Sequence, residues 1–204
     1  MFNQNQISLT HDLLLAKGGE RLCYVNPNDT TKVIKVLDPN IIIHNHQNDL
    51  EYIYYNFLYS KHKNNLDNIA KCYGWVETNY GKGLVFERIT DYDGQDSKHL
   101  RYYLMNNLLS ELEETSLLSE LKEFLESHLI LFVDVSTVNL FCKRISKNKF
   151  KLVIFDGLGA RRNNFKLLLY MKISFLARYK LNKQWNKFVV NCKKDRLNQI
   201  NLIH

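Results

Sequence analysis

The sequence has few of the features that indicate a disulfide-stapled, metal-clustered or membrane-spanning protein. Its four cysteines, Cys23, Cys72, Cys142 and Cys192, form no Cys-x-x-Cys pair, which argues against a disulfide framework and against a zinc site. The amino terminus shows no basic stretch followed by an apolar stretch, so we expect no secretory signal. No apolar run approaches the roughly 20 residues that a membrane span needs. These absences predict a cytoplasmic protein with reduced thiols.

Acidic residues are scarce in the last third of the chain. Residues 1–140 contain 12 lysines and arginines against 19 aspartates and glutamates, whereas residues 141–204 contain 16 against 2. Because a basic segment attracts anions, we expect it to contact an anionic membrane surface, peripherally at the inner membrane, or a phosphorylated glycan. The plainer alternative is that its aromatic residues pack in a core while its basic residues face solvent. The residues concerned are Arg161, Arg162, Lys166, Lys172, Arg178, Lys180, Lys183 and Lys187, interleaved with Phe175, Tyr179, Trp185 and Phe188.

Three other patterns carry little weight. No nucleic-acid-binding module is recognisable, so nucleic acid is not expected as a partner despite the basic charge. His44 and His46 lack further metal ligands nearby in the sequence. Asp91, Asp93 and Asp96 resemble a calcium loop only superficially, because no glutamate closes the loop.

Apolar patterning in the first 90 residues predicts a five-stranded antiparallel sheet with one helix. Runs of β-branched and aliphatic residues, separated by turn residues, predict strands at 12–16, 21–26, 32–37, 70–77 and 83–89. Residues 49–61 repeat apolar side chains at helical spacing, which predicts a helix after the third strand.

The rest of the chain is predicted to be mainly helical. Residues 91–97 form a polar linker, and Ser97 is positioned to cap a helix at 99–106. A packed helix is expected at 111–131, then a hairpin of strands at 140–143 and 149–155, and helix from 165 onward. The predicted parts of the chain are therefore 1–90, 91–97 and 98–204.

Two short motifs indicate phosphoryl-transfer chemistry. Asp134 is followed five positions later by Asn139, and a hydrophobic strand then ends in Asp156-Gly157. Kinase-fold enzymes use this layout to place a catalytic base and two magnesium ligands around ATP. Asp134 would accept or orient the proton of an attacking hydroxyl, and Asn139 and Asp156 would hold Mg²⁺ through hard oxygen ligands.

Upstream residues complete the pattern. Lys35, in Val-Ile-Lys-Val, resembles the third-strand lysine that pairs with the α- and β-phosphates. Glu51 on the following helix is positioned to orient Lys35, with Asp49 as a weaker candidate. Gly18 and Gly19 would let backbone amides approach the phosphates, although such a pair is also a common hairpin turn. Together these elements predict an α+β, protein-kinase-like two-lobe fold with a five-stranded antiparallel N-lobe and a reduced, mostly helical C-lobe.

Four sequence blocks carry a more specific resemblance. Between about residues 15 and 160, the chain resembles the PhoP regulatory network protein YrbL family of bacterial kinase-like proteins, most clearly at 18–25, 31–36, 73–79 and 81–87. The resemblance implies a kinase-like fold in the Gram-negative cytoplasm and leaves the substrate open. By analogy, the strand that ends at 86–89 is the hinge, so that Glu87 and Ile89 would bind the nucleotide.

Departures from protein kinases point to the acceptor. Phe132 stands where a histidine is usual, two residues before Asp134, and no Ala-Pro-Glu or long activation segment follows Gly157. We therefore expect a Mg²⁺- and ATP-dependent kinase that phosphorylates a hydroxyl of a small molecule, a sugar, the lipopolysaccharide core or another cell-envelope glycan precursor. The alternatives are a regulatory pseudokinase that binds nucleotide without turnover and a membrane-surface adaptor.

Overall fold

Strands dominate the first part of the chain and helices the second. The structure is a computed structural model that describes residues 6–42, 45–62, 66–159 and 165–198. The strands are β1 (Leu14–Lys17), β2 (Arg21–Val25), β3 (Lys32–Leu37), β4 (Cys72–Thr78), β5 (Gly81–Glu87), β6 (Leu140–Ser146) and β7 (Lys149–Ile154). The α-helices are α1 (Gln47–Lys61), α2 (Leu100–Met105), α3 (Glu111–His128), α4 (Phe165–Lys172) and α5 (Ser174–Asn198). Short 3₁₀ helices span His11–Leu13 and Thr137–Asn139.

The first five strands form one antiparallel sheet in the order β1-β2-β3-β5-β4, which confirms the predicted α+β class. Side chains alternate between the two faces of each strand. On β3, Ile34 and Val36 therefore pack in a small core with Leu9 and Leu22, while Val33 joins the main core with α1. Lys35 shares the face of Val33, and so it points towards the interior of the molecule.

Helix α3 is shorter than its sequence pattern predicts. It begins at a capping box, in which the Ser110 side chain accepts from the Glu113 backbone and Glu113 reaches back to Ser110. It ends at His128, because Leu129 adopts a left-handed backbone with φ of 51°. The apolar residues after it continue the predicted pattern up to Leu131, yet they are buried in an extended segment. Burial alone therefore explains their hydrophobicity.

The predicted cap of α2 was wrong. The N-cap is His99, whose side chain accepts from the Tyr102 amide. Ser97 instead donates to Asp91, and Asp91 also accepts hydrogen bonds from the backbone and side chain of Arg144. Residues 91–97 therefore form a loop fastened to β6 by an ion pair. The first strand also starts two residues later than predicted, after the 3₁₀ helix at His11–Leu13.

Helix α5 buries one face and exposes the other. Its buried residues recur every three or four positions: Ala177, Leu181, Gln184, Phe188, Cys192 and Asp195. Phe188 is fully buried against Phe132, whereas Phe175 and Tyr179 are 76% and 64% exposed. The aromatic residues of the basic segment thus divide between core and surface.

Within the described residues, every helix is too short or too polar to cross a bilayer.

Candidate nucleotide site

A cleft of about 460 Å³ lies between the β1–β2 turn, β3, the segment that follows β5, and the end of β7. Ligand pockets commonly measure about 300–1,000 Å³. Predicted residues that line the cleft are Gly18, Gly19, Lys35, Glu87, Ile89, Asn139 and Asp156. Glu51 lies behind Lys35 and is buried. Asp134 does not line the cleft; its backbone carbonyl accepts a hydrogen bond from Asn139, which does.

Lys35 and Glu51 lie together at the back of the cleft. The Lys35 ammonium is 3.5 Å from both carboxylate oxygens of Glu51 and 3.7 Å from Asp156, and it donates to the Phe155 carbonyl at 2.7 Å. It also lies 4.2 Å from the centre of the Phe86 ring. The ammonium is therefore surrounded by oxygen acceptors and by the face of the Phe86 ring.

Asp49, the weaker alternative to Glu51, lies on the exposed side of α1. Asp49 is 60% exposed in the first turn of α1, and its carboxylate lies 3.5 Å from the imidazole of His46. Two residues further along the helix, Glu51 faces the opposite side and is 5% exposed. Helical geometry separates positions that differ by two residues, so only one of the two carboxylates could face Lys35.

An arginine that the sequence interpretation did not include stands in the centre of the site. Arg21, on β2, donates to Glu51 at 2.5 Å and to Asn48 at 3.0 Å through one nitrogen. Its other terminal nitrogen donates to both oxygens of Asp156, at 2.7 and 2.8 Å. Asn48 in turn donates to the Lys35 carbonyl at 2.9 Å. Two cations and two carboxylates therefore form one network, which is buried except at Asp156.

A sequence signal for Arg21 existed in the alternation of side chains along the β2–β3 hairpin. Cys23 pairs directly with Lys35 across the β2–β3 ladder. Residues two apart on a strand share a face, so Arg21 must lie on the same face as Cys23 and Lys35. An arginine on the inward face of a strand needs a carboxylate partner, which points to Glu51 or Asp156.

The charges of this network keep Asp156 ionised. Burial by itself would raise the pKa of Asp156, but the adjacent charges of Arg21 and Lys35 outweigh burial and lower the pKa to about 2. Burial opposes the charge of Arg21 as well, yet Asp156 and Glu51 raise its pKa above the ordinary value. The two groups hence remain a charged pair at neutral pH.

The Asp134 loop is fixed against the residues around Gly157. The Asn139 side chain donates to the Asp134 carbonyl at 2.9 Å, and the Val133 and Asp134 amides both donate to the Gly157 carbonyl. Gly157 has φ of +82°, and a Cβ placed there would lie 2.7 Å from the Asp134 carbonyl oxygen. Only glycine meets both requirements without displacing the loop.

Helix α5 supports the same loop from the other side. Gln184 and Asn191 donate to the carbonyls of Val133 and Val135, at 3.3 and 2.8 Å. Asp195 accepts a short hydrogen bond from the buried Thr137 hydroxyl and pairs with Arg101 of α2. The basic segment therefore uses its inner face to hold the loop that carries Asp134, a role that its charge did not reveal.

The β1–β2 turn and the segment after β5 form the rim of the cleft. Gly18 donates its amide to the Arg21 carbonyl at 2.8 Å, and neither Gly18 nor Gly19 has the positive φ that the common two-residue hairpin turns use. The Glu87 carboxylate accepts from the Lys71 amide at 3.2 Å, and the Ile89 carbonyl accepts from the Ser97 amide at 3.0 Å.

The oxygen donors suit a hard cation, but one of them is engaged. Asp156 and Asn139 supply carboxylate and amide oxygens, which are ligands that Mg²⁺ accepts. Both Asp156 oxygens already accept from Arg21. Among the described residues, there is no cluster of three or more histidine, cysteine or acidic side chains that could hold a metal ion. His44 lies outside the described residues, and Asp96 pairs with Arg88, away from the Arg144 contacts of Asp91 and Asp93.

Comparison with known proteins identifies relatives over most of the chain. Residues 7–193 match the family described as PhoP regulatory network protein YrbL. The chain is 29% identical over 155 residues to the uncharacterized protein YrbL of Escherichia coli (strain K12), an alignment that covers 75% of this chain and 73% of that protein. The uncharacterized protein YrbL of Shigella flexneri shows the same identity and coverage. These matches confirm the resemblance seen in the sequence: the chain belongs to the PhoP regulatory network protein YrbL family.

Proposed function

We propose that the protein is an ATP-dependent phosphotransferase with a protein-kinase-like two-lobe fold, in which residues 1–90 and 98–204 form the lobes and 91–97 connect them. The observation that carries the proposal is the Lys35–Glu51 pair, which lies beside Asp156, 3.7 Å from the Lys35 ammonium, at the back of a cleft of nucleotide size. The sheet order β1-β2-β3-β5-β4, with α1 inserted after β3, supports the fold. Kinases place their phosphate-binding lysine and its helix glutamate on these two elements.

Each residue of the cleft has a distinct role in this proposal. Lys35 binds phosphate oxygens and Glu51 orients it, while Gly18 and Gly19 cover the phosphates and the segment of Glu87 and Ile89 meets the base. Asp134 orients the attacking hydroxyl and accepts its proton. Asn139 and Asp156 would hold Mg²⁺, which neutralises charge on the transferred phosphoryl group when it is bound.

The surroundings of the Asp134 loop favour an anionic, non-protein acceptor. A groove of about 700 Å³ lies between residues 133–135 and α5. It is lined by Lys180, Lys187 and Lys194, whose spacing of seven residues places them on one helix face. Only seven residues separate Gly157 from the start of α4, too few for a peptide-docking segment. We therefore propose a phosphorylated sugar, the lipopolysaccharide core or another envelope glycan precursor as acceptor.

Phosphoryl transfer is expected to depend on both carboxylates of the site. With radiolabelled ATP, Mg²⁺ and envelope-glycan acceptors, we expect Asp134→Asn and Asp156→Asn to lower the rate by about 100-fold or more, because the first removes a general base and the second removes the negative charge of a metal ligand. Product is measured by chromatography of the labelled glycan.

Asp93→Asn is the control variant for this assay. Asp93 is partly exposed and pairs with Arg144, outside the cleft. The Asp93→Asn variant should therefore transfer phosphoryl groups at the wild-type rate. Circular dichroism establishes that each variant is folded. Equal rates in wild type, Asp134→Asn and Asp156→Asn would refute the mechanism.

A regulatory pseudokinase is the second candidate. Its supporting observations are the Arg21 guanidinium on both oxygens of Asp156 and the burial of Phe132 against Phe188 where kinases carry a histidine. This candidate gains support if ATP raises the melting temperature, Lys35→Met abolishes that shift, and no acceptor is phosphorylated. Measurable Mg²⁺-dependent transfer excludes it.

An anionic membrane is the proposed location of the acceptor. Leu168, Phe175 and Tyr179 are exposed on α4 and the first turns of α5, beside the exposed Lys172 and Arg178. Exposed apolar side chains among basic ones are typical of surfaces that lie on anionic bilayers. The proposal therefore places a cytoplasmic enzyme peripherally at the inner membrane.

Vesicle binding is expected to require these apolar residues. We expect the protein to sediment with phosphatidylglycerol vesicles, and the double variant Phe175→Ser/Tyr179→Ser to bind at least about threefold less, because buried apolar area drives the insertion. Leu112→Ser on α3 is the control, since Leu112 is 84% exposed among acidic residues. Equal binding to vesicles of neutral phosphatidylcholine, or equal binding of the double variant, would contradict this placement.

A further inference from the structure

The interior of the cleft contains a cation where the proposed mechanism needs a metal ion. Arg21 donates to both oxygens of Asp156 through one nitrogen. The same guanidinium is anchored through its other terminal nitrogen to Glu51 and Asn48. Arg21 is therefore held at two ends, of which only the Asp156 end is shared with the proposed metal site.

We infer that the Arg21 guanidinium is the resident cation of the Asp156 carboxylate, and that a divalent cation must displace it before Asp156 can bind metal. The inference deepens the proposed function and rests on the role proposed there for Asp156. Arg21 would thus take part in binding metal and phosphate, a role that the kinase sequence motifs do not assign to a residue on this strand.

The two ends of Arg21 differ in their exposure, which indicates the direction of displacement. The Glu51 side chain is 5% exposed, whereas the Asp156 side chain is 31% exposed on the cleft side. A metal ion that enters from the cleft therefore meets Asp156 first. Arg21 keeps its contacts with Glu51 and Asn48 when it leaves Asp156, so no buried cation is left without a partner.

Displacement leaves the Arg21 nitrogen that held Asp156 facing the cleft, which Lys35 also lines. A guanidinium donates well to phosphate oxygens, because its planar arrangement of N–H groups matches two acceptors at once. The same movement thus opens a metal ligand and creates a second phosphate donor. We expect polyphosphate to favour the displaced position of Arg21 for this reason.

The charge of the network explains why metal and polyphosphate should bind together. Arg21, Lys35, Glu51 and Asp156 sum to zero, so a divalent cation alone would leave an excess of two positive charges in a buried site. A triphosphate carries more than enough negative charge to offset that excess. Binding of one therefore strengthens binding of the other by the same factor, since the coupling is reciprocal.

Manganese binding without nucleotide tests the inference directly. Free Mn²⁺ is measured by its electron paramagnetic resonance signal during titration of the full chain. We expect weak binding to wild type and at least about tenfold tighter binding to Arg21→Met, because a competing positive charge within a few ångströms of the carboxylate is removed. The gain should disappear in Arg21→Met/Asp156→Asn.

Arg88→Met is the matched control. Arg88 also lines the cleft and also forms an ion pair with an aspartate, Asp96, but it does not touch Asp156. The Arg88→Met variant should therefore bind Mn²⁺ with the same affinity as the wild type. A gain in Arg88→Met as large as in Arg21→Met would show a general effect of charge, and would overturn the inference.

Arg21→Lys keeps the inference testable if Arg21→Met does not fold. A lysine ammonium lacks the planar fork that joins Glu51 to Asp156 and should hold Asp156 less firmly, so we expect Mn²⁺ affinity to rise about threefold. Unchanged affinity in whichever Arg21 variant folds, or a gain that persists with Asp156→Asn, overturns the inference. The titration contains neither nucleotide nor acceptor, so its failure is distinct from a lack of phosphoryl transfer.

Discussion

Glu51→Gln should lower the free energy of unfolding by about 3 kcal/mol or more, the usual result of removing one partner from a buried ion pair. Glu51 is buried and contacts both Arg21 and Lys35. Its neutral replacement leaves two buried cations with Asp156 as their only carboxylate in the network, and Asp156 is the more exposed of the two acids. Urea unfolding followed by circular dichroism measures the loss.

Asp49→Asn is the control for this measurement. Asp49 lies on the same helix, carries the same charge and is 60% exposed, so its replacement should change stability by no more than about 0.5 kcal/mol. A loss in Glu51→Gln no greater than in Asp49→Asn would show that the buried network does not stabilise the fold. It would also remove the structural reason for assigning Glu51 rather than Asp49 to the site.

Gly157→Ala should impair both stability and phosphoryl transfer. Its φ of +82° is unfavourable for alanine, and the added Cβ would lie 2.7 Å from the Asp134 carbonyl oxygen and 2.8 Å from the Asp134 Cβ. Backbone strain and overpacking together should lower stability by at least about 2 kcal/mol. Because the Asp134 loop must move, the rate of phosphoryl transfer should fall by about 100-fold, the loss expected for a displacement near 1 Å.

Gly94→Ala separates strain from displacement. Gly94 has the same φ of +82°, but a Cβ placed there meets no atom within 4 Å. We expect a stability loss of about 1–2 kcal/mol from the left-handed backbone alone, with the transfer rate unchanged. If Gly157→Ala retains full activity, or if Gly94→Ala loses as much of it, contact between Gly157 and Asp134 does not position the loop.

The β2–β3 hairpin shows which features of the structure local sequence patterns can predict. Alternation along the strands and the turn residues between them predicted both strands within a residue or two. The same alternation places Arg21 on the face of Lys35, so the position of its side chain was accessible from sequence. Its partners were not, because the choice of Glu51 and Asp156 depends on how α1 and the end of β7 pack against the sheet.

Helix α5 shows a role that sequence patterns did not predict. Its high charge predicted a surface that meets anions, and the exposed face with Lys187 and Lys194 agrees with that composition. The polar residues on its inner face, Gln184, Asn191 and Asp195, hold backbone carbonyls and a hydroxyl of the Asp134 loop. Their composition resembles that of any solvated helix face. Only burial distinguishes a polar residue that supports a loop from one that meets water.

Local patterns in the sequence were sufficient for the α+β class and the strands of the sheet, because side-chain periodicity acts within a few residues. Longer sequence blocks were sufficient for the family. Tertiary structure alone decided that Arg21 joins Glu51 and Asp156, which lie 30 and 135 positions away along the chain. It also decided that α5 supports the Asp134 loop. Contacts between residues so far apart depend on the packing of whole elements, which periodicity does not encode.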